Sequence, residues 1–176
     1  VHSLPGQRVV LCEGRGDEWY AWARAMFESR GLIVTEASAQ EHDRVMSVVQ
    51  VLNHYQTQVL GLALSRLGIP MERTLAFTSP AYLLETYVTA RHFAQSSRLY
   101  GPIEMRNPRL GEVTQVFQDA AREIGDTLTK GDQGSFDSIF EEVSDFFGDF
   151  TAEALEQSRF LVDRLLELTA GRAARR

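Results

Sequence analysis

The chain contains one cysteine, Cys12. That excludes an intrachain disulfide and any cysteine-rich zinc site, and its place in the apolar run VVLC marks a buried structural thiol rather than a nucleophile. Organised positive charge is also scarce. Eighteen Lys and Arg against 24 Asp and Glu leave a net charge of −6. The only basic cluster is the tail formed by Arg172, Arg175 and Arg176, so a phosphate-tracking surface and a nucleic-acid partner are not expected. No apolar run approaches the roughly 20 residues of a membrane span. The N-terminus lacks the basic-then-apolar pattern of a signal peptide, so a cytoplasmic, membrane-free protein is the expectation. Missing too are a Ser/His/Asp order, an HExxH pair, a GxxxxGK phosphate loop and clustered metal ligands, so no metal is expected.

What is there is a globular composition, 44% hydrophobic and 24% charged, compatible with one or two domains. The chain is organised around residues 41–68, EHDRVMSVVQVLNHYQTQVLGLALSRLG, which read as one long buried helix without proline. At 100° steps Asp43, Ser47, Gln50, His54, Thr57, Gly61 and Ser65 fall on one narrow stripe, and valines and leucines cover much of the rest. A solvated helix face usually carries Lys and Glu. This stripe is small and neutral around a single histidine, which suits a polar cleft or a close helix contact.

The first 37 residues carry a βαβ pattern: the run Arg8 to Cys12, helical spacing of Trp19, Trp22, Met26 and Phe27, then Leu32 to Thr35. Such apolar strands belong to parallel sheets covered on both faces, which need more strands than one unit supplies. Residues 1–37 therefore read as the end of a doubly wound domain whose earlier strands are absent, the chain beginning at Val1 rather than methionine. Gly14 and Gly16 after the first strand, with Glu36 at the end of the second, approach a dinucleotide fingerprint. Trp19 stands where the third glycine belongs, and an indole there is expected to block close helix packing. A plain turn with Asp17 as N-cap is the preferred reading.

From Ser38 to Arg176 the pattern is helical. Ser38 and Glu41 form a capping box, Gly68 and Pro70 stop the long helix, and Ser79-Pro80 starts another that reaches about Gln95. Further helices are expected near 98–106 and 108–129. A phenylalanine-rich stretch from Ser135 to Thr169 would span roughly 50 Å as one helix, against about 40 Å for a compact chain of this size. It must bend near Gly148 or pack on a second subunit, and an interlocked homodimer is the favoured arrangement.

Few residues can carry chemistry. Arg91 shares the span Thr74 to Ser97 with one other formal charge, Glu85, which lies about 240° around the helix and cannot pair with it. Tyr87, Val88 and Leu84 surround Arg91 with apolar surface, where it serves either a buried ion pair with another helix or a bound carboxylate. His54, at the centre of the neutral stripe, is either a satisfied core residue or a ligand contact. His42 sits in a capping turn, and His92 reads as solvent-facing. The acids of the last helix read as its wet face.

Seven segments in order, EGR at 13–15, EHDRVM at 41–46, QVLNH at 50–54, SPAYLLE at 79–85, ARHFAQ at 90–95, LYGPIEM at 99–105 and FFGDF at 146–150, make the chain resemble prephenate dehydrogenase. The likeness is strongest to the dehydrogenase part of the bifunctional chorismate mutase/prephenate dehydrogenases, the T-proteins. The resemblance implies a mainly α fold: a βαβ remnant of a nucleotide-binding domain over residues 1–37, then a helical dimerisation and substrate-binding domain over 38–176. It implies oxidative decarboxylation of prephenate with NAD to 4-hydroxyphenylpyruvate in tyrosine biosynthesis, with tyrosine as a candidate inhibitor. It assigns substrate contacts to Arg91, His54 and Tyr100. The family's catalytic histidine and NAD loop have no counterpart here, so no catalytic residue is expected and the chain alone is expected to be inactive. Leu83 stands where close relatives carry arginine, which puts a second basic contact in doubt. A non-catalytic helical dimer that binds an aromatic acid, and a dehydrogenase of 4-amino-4-deoxyprephenate, remain open.

Overall fold

A computed structural model describes residues 3–173 of the chain; Arg175 and Arg176 of the basic tail lie outside the described residues, as does the side chain of Arg172. The N-terminal part is the expected unit. Strand β1 (Arg8–Cys12) and strand β2 (Ile33–Ala37) pair in parallel, Arg8 against Ile33 through Cys12 against Ala37, joined by helix α1 (Asp17–Ser29). Gly16, not Asp17, is the N-cap, with a positive φ of 97° and no side-chain cap. Trp19 is 72% exposed and turned toward Trp22, so its indole does not press on the strand as expected. Cys12 is only half-buried.

The remainder is helical. Helix α2 (Ala39–Met46) runs through a π-helical segment (Ser47–Leu52) into α3 (Asn53–Leu67). Then follow α4 (Met71–Ala76), α5 (Pro80–Phe93), α6 (Ser97–Met105), α7 (Leu110–Lys130), α8 (Gln133–Phe147) and α9 (Phe150–Ala173). Ser38 caps α2 by accepting from Glu41 N at 3.1 Å, but the Glu41 carboxylate turns to Arg44, so the capping box is half closed. Ser79 caps α5 through Tyr82 N, with Pro80 in the first turn. Between α8 and α9 the chain bends at Gly148, whose φ of +51° favours a residue without Cβ.

The α2–α3 rod is oriented opposite to a simple buried helix. Its central small side chains face inward, Ser47 and Thr57 being 2% and 3% exposed, whereas Val48, Val49 and Leu62 are about half exposed. Small groups allow α5 to approach closely: a Cβ built on Gly61 would collide with the Phe93 ring. On α5, Leu83, Thr86 and Thr89 are buried.

The apolar surface has few partners within one chain. Among the described residues only Val51, Leu83 and Leu165 are buried hydrophobics, while Phe140, Phe146, Phe147 and Phe150 lie open to solvent. A compact protein of this mass would expose about 8,600 Å². This chain exposes 13,828 Å², an excess larger than the roughly 1,000–2,500 Å² that an obligate dimer interface takes from each subunit.

Candidate functional site

The described residues that gather polar and aromatic chemistry are His54 and Gln58 on α3, His92 on α5, and Tyr100 and Glu104 on α6. Spacing explains two of the three contributions. Gln58 lies one turn beyond His54 and Glu104 one turn beyond Tyr100, so each helix presents a pair on one face. The His92 ring stacks on Tyr100 with centroids 4.0 Å apart, and Tyr100 meets His54 edge-on at 4.8 Å. Gln58 Nε2 donates to Glu104 Oε1 at 2.8 Å and lies 3.2 Å from His92 Nε2.

His54 Nδ1 is 3.5 Å from Glu104 Oε1, close enough for an ion pair should the imidazole protonate. The two are not aligned for a hydrogen bond, and Nδ1 is a buried polar atom without a partner. Burial, helped by the neighbouring His54 and opposed by Glu104, holds His92 below the usual histidine range. The sign is fixed by linkage: in acid the unfolded chain takes up a proton at this position before the folded one does, so His92 lowers stability as pH falls below about 6.5.

A cavity of about 830 Å³ opens beside the cluster, lined by Gln58, His92, Phe93, Tyr100 and Glu104 among others. A smaller apolar one of about 430 Å³ lies on the other side of Gly61 and Phe93, which line both. The shared wall yields a prediction. Gly61→Ala adds helix propensity of about 1 kcal/mol, comparable to what moving a half-exposed Phe93 ring costs, so the melting temperature should change by only a few degrees. If the displaced ring enters the larger cavity, a ligand there should bind at least about tenfold more weakly, as calorimetry would measure; unchanged affinity would mean that the ring moves into the smaller one.

Of the three residues assigned from the sequence, Tyr100 lines the larger cavity and His54 stands behind its His92–Tyr100 wall. Arg91 does not line it. It is exposed on α5 beside Tyr87 and Val88, and it forms no ion pair or hydrogen bond with any described residue, so the internal ion pair entertained for it does not form here. His92, read as solvent-facing, is instead half-buried at the centre of the cluster; Gln58 and Glu104 were not singled out at all. Leu83 is 8% exposed and part of the core, which leaves no second basic contact at that position. His42 lies apart, 3.2 Å from Asp43.

Glu36 is engaged by Arg24, so the acid at the end of β2 already has a cationic partner. Among the described residues no group of three metal-ligating side chains occurs, and no helix is long and apolar enough to cross a membrane.

Comparison with known proteins gives the context. Residues 38–142 match the family described as prephenate dehydrogenase, dimerization domain. The chain is 33% identical over 171 residues to the T-protein of Haemophilus influenzae, covering 97% of this chain and 45% of that protein. It is 35% identical over 161 residues to the T-protein of Enterobacter agglomerans, with 91% and 43% covered. A probable arogenate/prephenate dehydrogenase of Methanocaldococcus jannaschii is 30% identical over 149 residues, with 83% and 33% covered. The chain thus spans less than half the length of these relatives.

Proposed function

We propose, from the premise that this chain belongs to the prephenate dehydrogenase family, that it is the C-terminal part of an NAD-dependent prephenate dehydrogenase and supplies its dimer interface and half of its substrate pocket. Residues 1–37 end the nucleotide-binding domain, residues 38–176 form the helical domain, and the whole is a cytoplasmic homodimer of tyrosine biosynthesis. The observation that carries this reading is the meeting of His92 and Tyr100 on one cavity of about 830 Å³, with His54 packed behind them, inside the stretch matched to the family.

In the net reaction the ring carbon bearing the hydroxyl gives up hydride to NAD, the hydroxyl proton passes to a histidine outside this chain, and the ring carboxylate leaves as carbon dioxide as the ring becomes aromatic. This chain's residues bind and orient. Arg91, which does not line the cavity in one chain and pairs with no described acid, holds a substrate carboxylate with two parallel hydrogen bonds once the rest of the assembly covers it. Tyr100 offers an aromatic face to the substrate ring. His54 supplies an imidazole hydrogen bond to the substrate.

The test is NAD reduction by the full-length protein with prephenate, arogenate and 4-amino-4-deoxyprephenate as alternative substrates. Reduction with prephenate and release of 4-hydroxyphenylpyruvate is the expected result. Ligand binding without turnover of any of the three would favour a non-catalytic binding module, and a preference for an amino compound would reassign the substrate. His54→Asn, which keeps a polar hydrogen-bonding group, should retain much of the activity, and His54→Ala should lose at least about tenfold in kcat/KM. Equal activity in both variants would return His54 to a packing role.

A further inference from the structure

The hydrogen bonds of Gln58 fix more than its own side chain. Its Nε2 lies 2.8 Å from Glu104 Oε1, and an ionised carboxylate only accepts, so the amide nitrogen rather than its oxygen must face Glu104. That nitrogen carries two protons and no acceptor. The same atom lies 3.2 Å from His92 Nε2, which can complete a hydrogen bond only as the acceptor. A ring that accepts at Nε2 is neutral and carries its proton on Nδ1, the less usual tautomer in water. His92 Nδ1 makes no hydrogen bond to any described residue, and His92 lines the larger cavity.

We infer that Glu104 and Gln58 are positioning residues that lock His92 as a neutral imidazole protonated at Nδ1, so that the ring offers a hydrogen-bond donor to an oxygen of the bound oxo acid. Each link has a distinct job. Glu104 prevents the amide from flipping. Gln58 selects the tautomer. The Tyr100 ring stacked at 4.0 Å holds the plane of the imidazole. The titratable groups facing His92 are His54, Tyr100 and Glu104, and burial together with His54 favours the neutral ring at physiological pH. The donor role rests on the proposed oxo-acid ligand; the tautomer does not.

The experiment is a long-range correlation spectrum of the histidine ring nitrogens in the isotope-labelled full chain at neutral pH, with the His92 signals identified by their loss in His92→Gln. A protonated Nδ1 and bare Nε2 are expected. Gln58→Leu should return the ring to the Nε2-protonated form, and Glu104→Gln, which can present either amide atom to Gln58, should give a mixture, both with unchanged circular dichroism. With 4-hydroxyphenylpyruvate as the probe, Gln58→Leu should raise the dissociation constant about five- to tenfold, the worth of one hydrogen bond. An Nε2-protonated ring in the unsubstituted chain, or an Nδ1-protonated ring that survives Gln58→Leu, overturns the inference. Should the tautomer change as stated while the probe binds neither protein, the relay stands and the oxo-acid reading of the pocket falls.

Discussion

Arg91→Ala in the full-length dehydrogenase is expected to raise KM for prephenate about 30- to 900-fold, equivalent to about 2 to 4 kcal/mol, while kcat changes far less. Arg91 stands exposed on α5 with apolar Tyr87 and Val88 beside it and no ion pair to any described acid. A guanidinium so placed costs little in the free protein, where water solvates it. Once substrate and the rest of the assembly cover it, the paired charges lie in a drier setting and the two-pronged hydrogen bond strengthens. The contact exists equally in ground and transition states, so its loss belongs in KM. Arg91→Lys should recover only part of the affinity, because an ammonium cannot reproduce the planar fork. Steady-state kinetics with prephenate decides it: an unchanged KM in Arg91→Ala would remove Arg91 from the binding site.

The chain itself should sediment as a dimer of twice 19.8 kDa at micromolar concentration, and replacing Phe140, Phe146 and Phe150 together by serine should abolish that dimer along with most of the helical signal. The three rings are 63%, 83% and 56% exposed within one chain. Burying a phenylalanine contributes roughly 1.5 to 3 kcal/mol. A twofold interface contains each ring twice, so the triple substitution removes on the order of 10 kcal/mol, similar to the whole stability of a typical domain. With only Val51, Leu83 and Leu165 as buried hydrophobics among the described residues of one chain, little would remain to hold the helices. Sedimentation of the unsubstituted chain as a stable, folded monomer at these concentrations would refute the dimer.

The elements that were legible in the sequence are those written by neighbouring residues. Ser38 and Ser79 accept the backbone N–H three residues on, as their positions predict, and Gly148 bends the phenylalanine-rich stretch where one straight helix would outrun a compact chain. The βαβ pattern also follows the expectation. What stayed hidden depends on distant partners. His92 looked solvent-facing because its neighbours in sequence are polar or exposed, and Gln58 and Tyr100 reach it from helices that only tertiary packing brings there. The same holds for the rod: composition shows that it is apolar almost all round, but which side meets α5 is decided by size. Gly61 and Thr57 admit another helix where valine would not. The i, i+4 pairs His54/Gln58 and Tyr100/Glu104 were the one local signal that could have revealed the polar cluster.

The π-helical turn at Ser47–Leu52 has a consequence for how the gene can tolerate changes of length. A wide turn holds one residue beyond the ordinary count, and the flanking coils keep their direction when that surplus is dropped. A one-codon deletion within it would therefore tighten the coil locally while Asn53 onward still points the same way. The same deletion between His54 and Thr57 would swing everything that follows by about 100°. The rod thus has one place where its length can vary by a residue without re-aiming the histidine beyond it.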